Sequence, residues 1–138
     1  MLKIRKEQID AFLPKTDEET VDFIVAHLGE ESPSLIERLP QESLREMVGN
    51  GMARARGHGL GRLEDLTAFV SIMFEIAPDF DEHAELRRVL RDETVPADER
   101  MDRLFNSELD DAWEEVVRYR DPEARAGAWF PELASGKD

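Results

Sequence analysis

Asp79, Asp81 and His83 alternate along the chain, and two aspartates and a histidine at that spacing are residues from which a metal loop can begin. A helix-loop-helix calcium site needs further oxygen ligands, a central glycine and a closing bidentate glutamate, none of which stands in register here. The spacing therefore favours a mechanical role, with Asp79 and Asp81 capping and turning between helices while Phe80 plugs into the core. His27, His58 and His83 lie in separate segments, without the i, i+4 pairing of a helical zinc site.

Gly57, Gly59 and Gly61 invite a phosphate-loop reading, but no strand precedes them and no Lys-Ser/Thr follows. They predict a helix C-cap and a tight turn. The carboxylates Asp110-Asp111 and Glu114-Glu115 are sequence neighbours, so on a helix they diverge and cannot face each other across a cleft. Ser34, Ser43, Ser71 and Ser107 lack an elbow motif for a nucleophile.

Arg54, Arg56, His58 and Arg62 form the one cationic cluster of the chain. A carboxylate or phosphate of a partner suits arginine's planar fork, although pairing with the chain's own abundant acids is the favoured reading. The formal net charge of −14, from 32 acidic and 18 basic residues, repels nucleic-acid phosphates and anionic lipid. Neither nucleic acid nor a membrane surface is an expected partner. With no cysteine, disulfides, thiolate catalysis and cysteine zinc sites are excluded together, which fits a reducing compartment. No signal-peptide core or run of about eighteen apolar residues is present, so the expected location is the cytoplasm.

These residues must be positioned by helices, because no alternating strand pattern of useful length occurs. Ile4, Ile9, Phe12 and Leu13 suit a short amphipathic helix stopped by Pro14. Asp17 fits an N-cap for a stripe of Val21, Ile24, Val25 and Leu28 that ends at Gly29. Pro33 and Pro40 stand where helices begin, and Leu44, Met47, Val48, Met52 and Ala55 stripe the longer one, with Gly49 and Gly51 inside it. Leu66, Phe69, Val70, Met73, Phe74 and Ala77 mark a helix apolar on more than one face, expected to be central and closed by Pro78. Shorter helices follow around Leu86 to Arg91 and Pro96 to Phe105. A last one has Ser107 and Asp110 in a capping arrangement and Ala112, Trp113, Val116 and Val117 on its apolar face. Beyond Asp121-Pro122 periodicity is lost, although Trp129, Phe130 and Leu133 can pack back, and Ser135 to Asp138 should fray.

The fold class expected is all-α: a single-domain irregular bundle of about six to seven helices over residues 1–138, with 121–138 extended or partly ordered. Phe23, Ile72, Ile76, Trp129 and Phe130 are apolar outside any one narrow stripe and would form binding hot spots if exposed together.

The order LKIRKEQ, VAHL, LREMVGNGMARARGHGL and FVSIMFEIAPDFD, within residues 1–81, resembles a family of small bacterial proteins often encoded beside the spike and effector genes of type VI secretion systems. The resemblance implies a non-enzymatic accessory protein, an adaptor or chaperone that holds an effector or presents it to the spike. It brings no catalytic residue, metal or cofactor. The expected partner is a protein, met by Arg54, Arg56, His58, Arg62, Trp129 and Phe130. An immunity protein that neutralises a toxin is the alternative, its acidity complementing a basic toxin site.

Overall fold

A computed structural model describes residues 16–118 and 122–131 of the chain, with side chains from 125 onward in the second segment. Among these residues every regular element is helical: α1 (Asp17–Glu31), α2 (Pro33–Ile36), α3 (Gln41–Gly57), α4 (Leu63–Glu75), α5 (Ala84–Leu90), α6 (Ala97–Arg103), α7 (Asp110–Arg118) and α8 (Pro122–Trp129). Single turns of 3-10 helix at Phe80–Glu82 and Ser107–Leu109 lead into α5 and α7. The fold is all-α, as its sequence periodicity implies. The helix expected around Ile4 to Leu13 lies outside the described residues, as do Leu133 and Ser135 to Asp138.

Helix α4 is the central element. Asp65, Leu66, Thr67, Phe69, Val70, Ser71, Ile72 and Met73 are all buried, so it is covered on nearly every side. Its near-continuous apolar run is the sequence form of that position. Helix α3 packs along it and α1 packs on both. Gly51 of α3 lies so close to α4 that a Cβ there would stand 3.0 Å from Val70 Cγ2 and 3.1 Å from Met73 Sδ.

Several helix ends differ from the sequence-based expectation, for local reasons. The N-cap of α1 is Thr16, one residue before Asp17. Its hydroxyl accepts from the Glu19 amide at 3.1 Å, and the Glu19 carboxylate accepts from the Thr16 amide at 3.2 Å. This reciprocal box requires a carboxylate three residues after the cap, which Thr16 has and Asp17 lacks. Helix α1 also passes through Gly29 to Glu31 and stops at Ser32, since the residue before Pro33 is driven out of the helical region. The Ser107–Asp110 capping arrangement is replaced by Asn106, whose Oδ1 accepts from the Glu108 amide at 2.9 Å.

The segment expected to be extended beyond residue 121 is helical over Pro122–Trp129 and docks on α3. Asn50 Nδ2 donates to the Trp129 carbonyl at 2.7 Å, the Trp129 ring lies 4.4 Å from that of Phe74, and Ala128 is buried. Eight α-helices, one of them a single four-residue turn, stand among the described residues and form the irregular bundle expected. Tertiary contacts supply the order that periodicity does not announce.

Candidate functional site

The cationic segment is built on the C-terminus of α3. His58 is its C-cap and Gly59 follows at φ +88°. The Gly59 amide donates to the Arg56 carbonyl at 2.9 Å and the Leu60 amide reaches back to the Ala55 carbonyl at 3.2 Å. Both bonds of a Schellman motif are thus made, with the buried pair Leu60 and Ala55 as its apolar contact. The glycine-rich turn is a helix stop, as its spacing predicts, and it fixes where the His58 ring points.

The four residues of the cluster do not converge on one external site. Arg54 and Arg56 are two apart on a helix and face roughly opposite sides. Arg54 Nε donates to Asp81 Oδ1 at 2.8 Å and its Nη2 to Glu82 Oε2 at 2.7 Å. Arg56 pairs with Asp17 at the start of α1, 2.9 Å away. Arg62 grips Asp65 through Nε at 3.0 Å and Nη2 at 3.3 Å, with Glu64 2.8 Å from its Nη1. The chain's own acids take all three guanidinium groups.

His58 turns inward and is 7% exposed. Its Nε2 lies 2.7 Å from Asp81 Oδ2, and Arg91 Nε donates to its Nδ1 at 3.0 Å. Asp81, 3% exposed, is therefore neither a surface turn residue nor a helix cap. It is the buried acceptor of both Arg54 and His58. Phe80 beside it is fully buried, as expected. Arg100 of α6 completes the node, donating to the carbonyls of Val95, Leu90 and His58 at 3.0, 3.3 and 3.4 Å. One histidine thus ties the end of α3 to α5, α6 and the turn after α4.

Burial opposes the charge on Arg54, but the field of Asp81 and the bonds to Glu82 and Asp81 prevail and hold its pKa above the ordinary arginine value. Asp65 behaves differently. Burial raises its carboxyl above the usual value, and the bonds from Arg62 only partly offset this.

The remaining members of the Asp79, Asp81, His83 series also separate. Asp79 lies 3.8 Å from Arg125 Nε. His83 caps α5, its Nδ1 accepting from the Glu85 amide at 3.2 Å, and its Nε2 stands 3.6 Å from Glu115. Among the described residues no three histidine, aspartate or glutamate side chains gather into a metal-ligating group. The proposed hot spots are not exposed together: Ile72 is buried, while Phe23, Ile76 and Trp129 are half-buried against the core and Phe130 is half-buried.

A different apolar surface is present. Phe105 is 37% exposed and Val117 52% exposed, and the half-buried Trp113 lies between them. The Trp113 and Phe105 rings are nearly parallel, 4° apart in plane, with centroids 5.7 Å apart. Trp113 also stacks on Phe80 at 5.6 Å, and its Nε1 donates to the Leu104 carbonyl at 2.7 Å. The rings continue inward from Phe80 to Phe69 at 4.9 Å and from Phe69 to His58 at 5.8 Å. An aromatic row thus runs from the buried node to the surface. Sequence reasoning placed Phe105 at the end of a short helix and Trp113 and Val117 on the apolar face of the next. The available signal was that the apolar face of α7, four residues in nine, is wider than a nine-residue helix at the edge of a bundle can bury.

No helix among the described residues is long and apolar enough to cross a membrane. No protein-family model matches the chain, and comparison with curated proteins and with solved structures returned no match.

Proposed function

We propose that this all-α protein is a non-enzymatic binding factor for another protein, an adaptor or chaperone for a type VI secretion effector or spike component. The observation that carries the binding reading is the strip of exposed Phe105 and Val117 with half-buried Trp113 on a highly charged surface. Exposed aromatic and aliphatic side chains held rigidly from beneath are the side chains that serve as anchors in protein interfaces. The delivery context rests on the sequence resemblance of residues 1–81. Support for a non-enzymatic role comes from the node itself, where both ring nitrogens of His58 and both oxygens of Asp81 already have partners.

An immunity protein is the second reading, favoured by the acidity of the segment that carries the strip. Affinity capture of the tagged protein from its native bacterium, with mass spectrometry after a salt wash, tests both. A single stoichiometric effector or spike protein is the expected result. If that partner is a toxin whose activity survives in the complex, the adaptor reading holds; equimolar loss of toxicity favours immunity. Retention of nothing specific overturns the proposal.

A further inference from the structure

The strip on α7 has a chemical polarity that specifies its occupant. Trp113 and Val117 are one helical turn apart and share a face, while Asp110, Glu114 and Arg118 form the adjoining row at the same spacing. Trp113, Glu114, Val117 and Arg118 line a shallow depression of about 400 Å³ beside Phe105. Residues 107–118 carry five acids, Glu108, Asp110, Asp111, Glu114 and Glu115, against the single base Arg118. All five are exposed. We infer that this strip docks a cationic amphipathic helix of a partner protein, its aliphatic side chains over Phe105, Trp113 and Val117 and its lysines or arginines along the Asp110–Glu114 row.

The argument is one of complementarity. An aromatic floor with an acidic flank attracts a helix that is apolar on one face and basic beside it, and rejects an acidic one. A second copy of this chain is disfavoured by the same electrostatics, because two strips would bring two acidic flanks together. The floor is preorganised: Trp113 is fixed by its bond to Leu104 and stacked on Phe80 before any partner arrives.

This inference rests on the protein-binding reading and can fail separately from it. The probe is an eighteen-residue helical peptide with leucines at i, i+3, i+4 and i+7 and lysines flanking them, titrated calorimetrically into the full chain. A peptide with glutamates in place of the lysines is the control. The lysine peptide should bind and weaken as salt is raised, and the glutamate peptide should not bind. Val117→Arg and Glu114→Lys should each weaken the lysine peptide by tenfold or more, and Glu114→Lys should improve the glutamate peptide. Gain of the opposite peptide cannot come from misfolding. Equal binding of both peptides, insensitivity to Val117→Arg, or a dimer in sedimentation that Val117→Arg dissolves would overturn the inference. If neither peptide binds but a captured partner is lost with Val117→Arg, the binding reading stands and the cationic-helix inference falls. If the lysine peptide binds and capture returns nothing, the inference stands and the delivery reading falls.

Discussion

Arg91 Nε donates to His58 Nδ1 across 3.0 Å, and because a guanidinium has no acceptor this contact fixes the imidazole tautomer. Nδ1 must present its lone pair, so the proton sits on Nε2 and is given to Asp81 Oδ2, 2.7 Å away. A long-range 15N–1H spectrum should show His58 as the neutral Nε2-protonated ring. The opposite tautomer would mean that the Arg91 contact does not form in solution.

Asp81→Asn should be among the most destabilising polar substitutions. The amide presents one oxygen and one NH2 where two donors, Arg54 and His58, now find acceptors. Arg54 keeps only the exposed Glu82, and a buried donor left without its acceptor costs about 2 kcal/mol. Glu82→Gln, which removes the exposed partner of Arg54, should cost less than about 1 kcal/mol. Urea midpoints of the two variants check the contrast, and equal losses would show that the buried pair is not the anchor.

Gly49 and Gly51 lie two residues apart on α3 and should respond to alanine in opposite directions. A Cβ at Gly49 meets nothing within 4 Å, so Gly49→Ala should stabilise by up to about 1 kcal/mol through helix propensity. At Gly51 the Cβ would press on the β-branched Val70 and on Met73. Val70 cannot yield cheaply, and Gly51→Ala should be net destabilising by about 1 kcal/mol, the overpacking cost exceeding the propensity gain. Thermal unfolding of both variants decides it.

That pair also marks the limit of what sequence discloses. Periodicity identifies α4 as central and glycine spacing identifies the end of α3, because both are set by residues a few positions apart. Which of two helical glycines faces a neighbour depends on α4, some twenty residues on. The His58 node is similarly hidden: its ring partners, Asp81 and Arg91, are 23 and 33 residues away, and nothing in the motif GHGLG points to them. The Thr16 capping box was legible as Thr-Asp-Glu-Glu. The exposure of Phe105 and Val117 was less so, because it follows from how short elements close around one another rather than from any local pattern.

Asp65 should make the stability respond to pH in the sense opposite to a surface-paired aspartate. Burial raises its folded-state pKa above 3.8, so the folded protein takes up a proton there more readily than the unfolded chain. The penalty for its charge is complete at neutral pH and is relieved as pH falls through the folded pKa. Asp65→Asn carries no such titration. The difference in urea stability between wild type and Asp65→Asn should therefore move in favour of wild type from pH 7 towards pH 4. A shift in favour of the variant would mean that the Arg62 bonds outweigh burial.

Helix α8 docks on α3 at the margin of the core, and its docking should be separable from global folding. Asn50 Nδ2 satisfies the Trp129 carbonyl near the helix end, while the Trp129 ring lies against Phe74. Asn50→Ala removes the hydrogen bond, worth about 1 kcal/mol, and disturbs no side chain of the α3–α4 interface around Gly51. Amides of α8 should then exchange roughly five times faster, the factor that about 1 kcal/mol sets for a local opening. Those of α4 should be unchanged, because they exchange only when the core opens. Equal acceleration in α4 and α8 would mean that α8 is an integral part of the cooperative core.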